Sequence, residues 1–134
     1  MSGTFWLAVA AYVLPTFPLG YFWHMKTFAS TYERLEIYRP NPIIPMGLAS
    51  MVLQGLFFAW AYPKLFATGA DTWVGGAVQF FVVFGVVAWS FLVLPVAAKV
   101  RMTDVGLFIR LETAFTAIQF AVTALLLGLV YRGS

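Results

Sequence analysis

Four long apolar runs fill most of this 134-residue chain, and their length decides what it can fold into. They are about residues 5–25, 43–62, 73–97 and 108–131. Each is close to or above the ~20 residues that a helix needs to cross ~30 Å of hydrocarbon. In hydrocarbon every backbone N–H and C=O must find a partner without water, which an α-helix achieves within one segment. Runs of this length joined by short connectors predict an all-α, polytopic membrane protein. The expected form is an antiparallel four-transmembrane-helix bundle, a single transmembrane domain over residues 1–134.

Composition excludes several classes. Charged residues make up 10% of the chain against ~25% in soluble domains, and mean hydropathy is +0.88. The net charge of +3 comes from eight scattered Lys and Arg residues set against five acidic ones. That suits anionic lipid head groups and gives no clustered footprint for nucleic acid. There is no cysteine, hence no disulfide, thiolate metal site or cysteine nucleophile. A single histidine excludes a bis-histidine haem and a histidine-rich metal cluster within one chain. No phosphate loop, Ser-His-Asp set or metal-binding helix motif is present, so neither a catalytic residue nor a cofactor or metal is expected. Met1–Thr4 carry no Lys or Arg, so the first run reads as a retained helix rather than a cleaved signal.

The connectors set an expected orientation. Lys26, Arg34 and Arg39 fall in the first, and Lys99 and Arg101 in the third, with Arg110 just beyond; Lys64 and Arg132 are the remaining two. The positive-inside rule therefore puts connectors 26–42 and 98–107 in the cytoplasm and both termini outside. Trp6, Trp60, Trp73 and Tyr131 are expected at the outer interface, and Trp23 and Trp89 towards the inner one, as an aromatic belt. Within the first connector, Ser30 and Glu33 have capping-box spacing, and Tyr32 and Leu35 recur at helical spacing beside polar Glu33, Arg34 and Glu36. A short amphipathic helix over about 30–39 is predicted at the interface, stopped by Pro40 and Pro42.

Candidate functional residues follow from the cost of polarity in a membrane. Pro15 and Pro18 remove the helical partners of the Ala11 and Leu14 carbonyls, which predicts a kink or break in the first helix. Glu112 lies one turn or so inside the fourth run, where an ionisable group is a functional candidate by default. Glu112, Thr116, Gln119 and Thr123 share one helix face and form a polar stripe. Glu112 has candidate partners in His24, Lys26, Arg101 and Arg110, and a His24–Glu112 pair could titrate near neutral pH. Gln54 and Gln119 are expected near the midplane, and Gln79 nearer the outer end of the third helix. Gly47, Ser50 and Gln54 share a face of the second. Such groups act as glue between helices or subunits, or line a small polar cavity.

The stretches FPLGYFWHMKTFASTYERLEIY (17–38) and GGAVQFFVVFGVVAWSFLVLPVAAKV (75–100), with a last helix ending AIQFAVTALLLGLVY, give the chain a layout that resembles small four-helix bacterial membrane proteins of uncharacterised families. The resemblance implies a bacterial inner membrane and brings no functional residues with it. The four-helix glutathione-dependent enzymes of the eicosanoid type carry Arg-x-x-Asn-x-x-Glu in their second helix. Here PIIPMGLASMVLQGLFFAWAY has none of the three. Three functions remain open: a non-enzymatic accessory subunit or oligomeric component, partnered by itself or other membrane subunits; a small transporter or channel for a proton, ion or small solute using the stripe around Glu112; and an enzyme acting on a lipid or other apolar substrate at the cytoplasmic interface.

Overall fold

The computed structural model describes residues 2–134. They form helices α1 (Gly3–Phe22), α2 (Ala29–Leu35), α3 (Ile44–Leu65), α4 (Trp73–Leu92), α5 (Leu94–Lys99) and α6 (Val105–Tyr131), with a π-helical segment at Trp23–Thr27 and no strand among the described residues. Four helical segments, 3–27, 44–65, 73–99 and 105–131, are long and apolar enough to cross a membrane. The protein is an all-helical, multi-pass bundle.

Sequential long helices run antiparallel. Gly55 of α3 sits against Val9, Tyr12 and Val13 of α1, while Gly20 of α1 meets Met51 of α3. Gly128 of α6 sits against Trp73 and Ala77 of α4; a Cβ there would lie 3.0 Å from the Trp73 ring. Missing side chains at Gly55 and Gly128 let backbones close up where lipid gives helices no hydrophobic drive to associate. The close-packed pairs are α1–α3, α1–α6 and α4–α6, whereas α3 and α4 meet through Phe57, Phe58, Phe66, Phe80 and Phe84.

Each end of the bundle is tied by hydrogen bonds. At one end α5 continues the line of α4 past a break at Val93 and carries the chain to Asp104, which caps α6 by accepting from Leu107 N–H at 3.0 Å. There α2 seats Tyr32 and Leu35 against Val93, Ala97 and Phe108. Thr103 donates to the Arg34 carbonyl at 2.6 Å and, through its N–H, to the Leu35 carbonyl at 3.3 Å, so one connector satisfies the last carbonyls of a helix in the other. At the opposite end Pro63 deprives the Ala59 carbonyl of its helical donor, and the Tyr131 hydroxyl supplies one at 2.5 Å.

Several expectations are corrected. Despite Pro15 and Pro18, α1 runs unbroken from Gly3 to Phe22; the irregularity comes after it, at the π segment. A helix absorbs a missing N–H more cheaply than it exposes a whole unwound turn in hydrocarbon. Helix α2 spans Ala29–Leu35 rather than about 30–39. It ends where Glu36 turns left-handed (φ 59°), well before Pro40. The Ser30–Glu33 capping box does not form, because the π segment feeds α2 directly: Phe28 N–H bonds the Trp23 carbonyl and Tyr32 N–H bonds the Phe28 carbonyl. Tyr131 is buried and faces the bundle, so it is no interfacial anchor; Trp6 and Trp60 are exposed.

Candidate functional site

The π segment aims the site. Its wider turn brings the His24 ring back onto its own helix and across to α6, a role in which single π turns recur at functional positions. His24 Nδ1 lies 2.9 Å from the Gly20 carbonyl, and Nε2 lies 2.9 Å from Glu112 Oε1. From α2 the Tyr32 hydroxyl donates to the same Oε1 at 2.5 Å, and the Trp23 indole N–H donates to the Tyr32 oxygen at 3.1 Å. Phe115 closes the inner side, its ring edge-on to His24 at 4.7 Å. Tyr38 stacks on the outer face of Tyr32, centroids 5.1 Å apart. His24 and Glu112 side chains each retain 16% of their exposure.

The hydrogen bonds count the protons. A carbonyl only accepts, so His24 Nδ1 carries a hydrogen. Nε2 meets Glu112 Oε1 at 2.9 Å, a contact that joins the π segment to α6. Tyr32 keeps its own proton: burial, and then the hydrogen bond to Glu112, push its hydroxyl well above the ordinary tyrosine value.

A second polar node lies deeper. Gln119 of α6 donates to the Tyr12 hydroxyl of α1 at 3.0 Å, and that hydroxyl donates to Gln54 Oε1 of α3 at 2.5 Å. Three helices are thus joined by one chain of hydrogen bonds, which satisfies groups that lipid cannot. Thr123 donates to the Gln119 carbonyl of its own helix at 2.8 Å. Thr116 is buried beside the α4–α6 groove formed with Trp89 and Thr113. Among the described residues no hydrogen bond connects the Glu112 and Gln119 nodes, so the stripe is two separate knots.

The other candidates disperse. Arg110, Arg101 and Lys26 are exposed and none forms an ion pair with Glu112 among the described residues; the Lys26 ammonium stands 5.9 Å from the Tyr21 ring centre. Ser50 is exposed and donates to the Gly47 carbonyl one turn back. Gln79 is exposed on α4 and has no hydrogen-bond partner among the described residues. Pro15 and Pro18 lie within regular α1 and open no site. Sequence reasoning missed Tyr12, Tyr32 and Trp23 as members of the two nodes. The available signal was Tyr12, Thr16 and Gly20 at four-residue spacing, and the need of any phenol at membrane depth for a partner. His24, Glu112 and Tyr32 form no group of three metal-ligating side chains, and no such group exists among the described residues. No family model, curated protein or solved structure matches the chain.

Proposed function

We propose that this chain is a non-enzymatic membrane component that works in an assembly, with copies of itself or with other membrane subunits. The observation that carries the reading is Gln79. Counting from Trp73 at about 1.5 Å per residue, it lies roughly 9 Å into α4, on a face where Val78, Val82 and Val86 are each more than half exposed. An amide left in hydrocarbon without a partner costs several kcal/mol, roughly 4–8 on an alkane scale. Gln119 and the oxygen of the exposed Gln54 find a partner inside the chain, whereas neither end of the Gln79 amide does. Gly75, one turn earlier on the same face, has no atom within 4 Å of where its Cβ would stand, which leaves room for a neighbouring helix.

The same proposal places the chain in a bacterial inner membrane with both termini outside. Its support is the small four-helix layout and the basic residues of connectors 26–42 and 98–107, which Thr103 ties together at one end of the bundle.

The absence of cysteine makes a clean test possible. Single cysteines at Val82 or Val86, oxidised in native membranes, should yield covalent adducts with a second copy or a partner. Leu53→Cys, more exposed than either but on α3, should yield few. Equal adduct formation at all three positions would indicate random collision and defeat the reading.

A second reading is proton-coupled transport. It is favoured by the 2.9 Å contact between His24 Nε2 and Glu112 Oε1 and by the grooves bordering His24. It requires Glu112→Gln to abolish a pH-driven flux in proteoliposomes.

A further inference from the structure

Helices α1 and α3 touch at Gly55 but part towards the connector end. There Ile44–Ser50 is exposed at every position, and a Cβ on Gly47 would meet nothing within 4 Å. The parting leaves a groove of about 240 Å³ floored by Phe115 and walled by Gly20, Tyr21, His24 and Met51. Past Tyr38, Pro42 and Gly47 it opens into a cleft of about 600 Å³ at the level of the first connector. Arg39 is the one charged residue lining that cleft among the described residues. Neither the Arg39 guanidinium nor the Tyr38 hydroxyl has a hydrogen-bond or ion-pair partner among the described residues. Glu33 and Glu36 line an adjoining cleft that shares Met25, Tyr38, Arg39 and Pro42 with this one.

We propose that this groove binds a single-chain amphiphile with an anionic head. Its alkyl chain lies between α1 and α3 over Gly47 and Phe115, and its carboxylate or phosphate meets Arg39. Amphipathic complementarity identifies the occupant. The inner groove is lined mostly by apolar side chains, while the outer cleft offers one unpaired cation. A guanidinium matches a carboxylate or phosphate in a two-pronged way. At about 240 Å³ the inner groove takes one alkyl chain lying along it and has no room for two side by side. Glu33 and Glu36 weaken the pull of Arg39 on a small free anion, so the alkyl chain in the groove has to supply the rest of the hold. This surface lies on the α1–α3 side, so the inference stands independently of the α4 assembly face.

The test uses the full chain in phosphatidylcholine nanodiscs with a photo-activatable long-chain carboxylate, followed by mapping of the labelled peptides. Labels are expected on residues 17–25 and 43–51. Unlabelled dodecanoate or dodecyl phosphate should displace them at concentrations at least tenfold below dodecanol. Whichever of the two anions competes better identifies the source, a free fatty acid or a lysophospholipid-type phosphate. Gly47→Phe should reduce labelling about tenfold by filling the groove. Arg39→Gln should reduce the preference for the anion over dodecanol about tenfold, the loss of one charge-assisted bond. Arg39 is exposed, so that variant carries the test even where Gly47→Phe fails to fold. Labels spread evenly over the lipid-facing residues of α3 and α4, or dodecanol competing as well as dodecanoate, would mean annular lipid only and would overturn the proposal.

Discussion

The Tyr131 hydroxyl and the Ala59 carbonyl offer a quantitative test of how this bundle is held. Residue 63 is proline, so the Ala59 carbonyl has no N–H four residues on. Tyr131 reaches from α6 to supply the donor at 2.5 Å, and both residues are buried, at 5% and 1% exposure. Tyr131→Phe keeps the ring stacked on Tyr62, centroids 5.7 Å apart, and removes only the oxygen. In the native background it strands a buried carbonyl, a loss of about 1–3 kcal/mol. In a Pro63→Ala background the backbone N–H restored at position 63 can take that carbonyl, and the same change should cost no more than ~0.5 kcal/mol. The coupling over the double-mutant cycle is therefore expected at about 1 kcal/mol or more. Reversible unfolding in mixed micelles, followed by helical circular dichroism as the denaturing detergent fraction rises, supplies the four free energies. Equal costs of Tyr131→Phe in the two backgrounds, within ~0.5 kcal/mol, would refute the claim that Tyr131 stands in for the missing proline donor.

The remaining predictions use the same unfolding measurement. Tyr62 is fully buried and its hydroxyl has no protein partner among the described residues, so Tyr62→Phe should be neutral or stabilising, the opposite of Tyr131→Phe. Gly128→Ala pushes a Cβ to 3.0 Å from the Trp73 ring and 3.1 Å from Ala77, and should destabilise by ~1–3 kcal/mol, whereas Gly75→Ala should be tolerated by the lone chain. Glu112→Leu leaves His24 Nε2 and the Tyr32 hydroxyl without their shared partner and should cost ~1–3 kcal/mol, while the His24→Leu, Glu112→Leu double variant should recover part of that loss. Tyr32 holds its proton more tightly folded than unfolded, so the unfolded chain releases it first. The Tyr32 contribution is complete below the unfolded value of about 10 and falls as pH rises beyond it; a titration from pH 9 to 11 should show a steeper decline for the native chain than for Tyr32→Phe.

The helices were legible because hydrocarbon imposes a single local rule, and length plus apolarity suffices to apply it. Glu112 was legible as a position for the same reason. Its partner was open among His24 and three basic residues, since choosing His24 required the π turn that rotates the ring onto α6, and five residues of π register leave no periodic mark in sequence. The end of α2 was misplaced because Pro40 and Pro42 are strong stop signals, whereas the actual stop is a left-handed Glu36, a conformation that costs a non-glycine residue ~1 kcal/mol and is held here by Thr103 from another connector. Pro15 and Pro18 misled in the opposite direction: the local cost of each proline is real, but the cost of breaking a helix in lipid is larger. Tyr12 joins Gln54 to Gln119 through contacts between residues 42 and 107 positions apart, which no local pattern encodes.

The central claim is that the polar groups inside the chain lock its own helices, while Gln79 on α4 looks outward for a partner. The most direct measurement is the mass of the particle extracted from native membrane in a mild detergent, with its co-purifying proteins identified, for the native chain and for Gln79→Leu. The account predicts a native particle larger than one chain with bound detergent, and a shift towards the single chain in Gln79→Leu. A native particle that is a single chain, unchanged by Gln79→Leu, would contradict it.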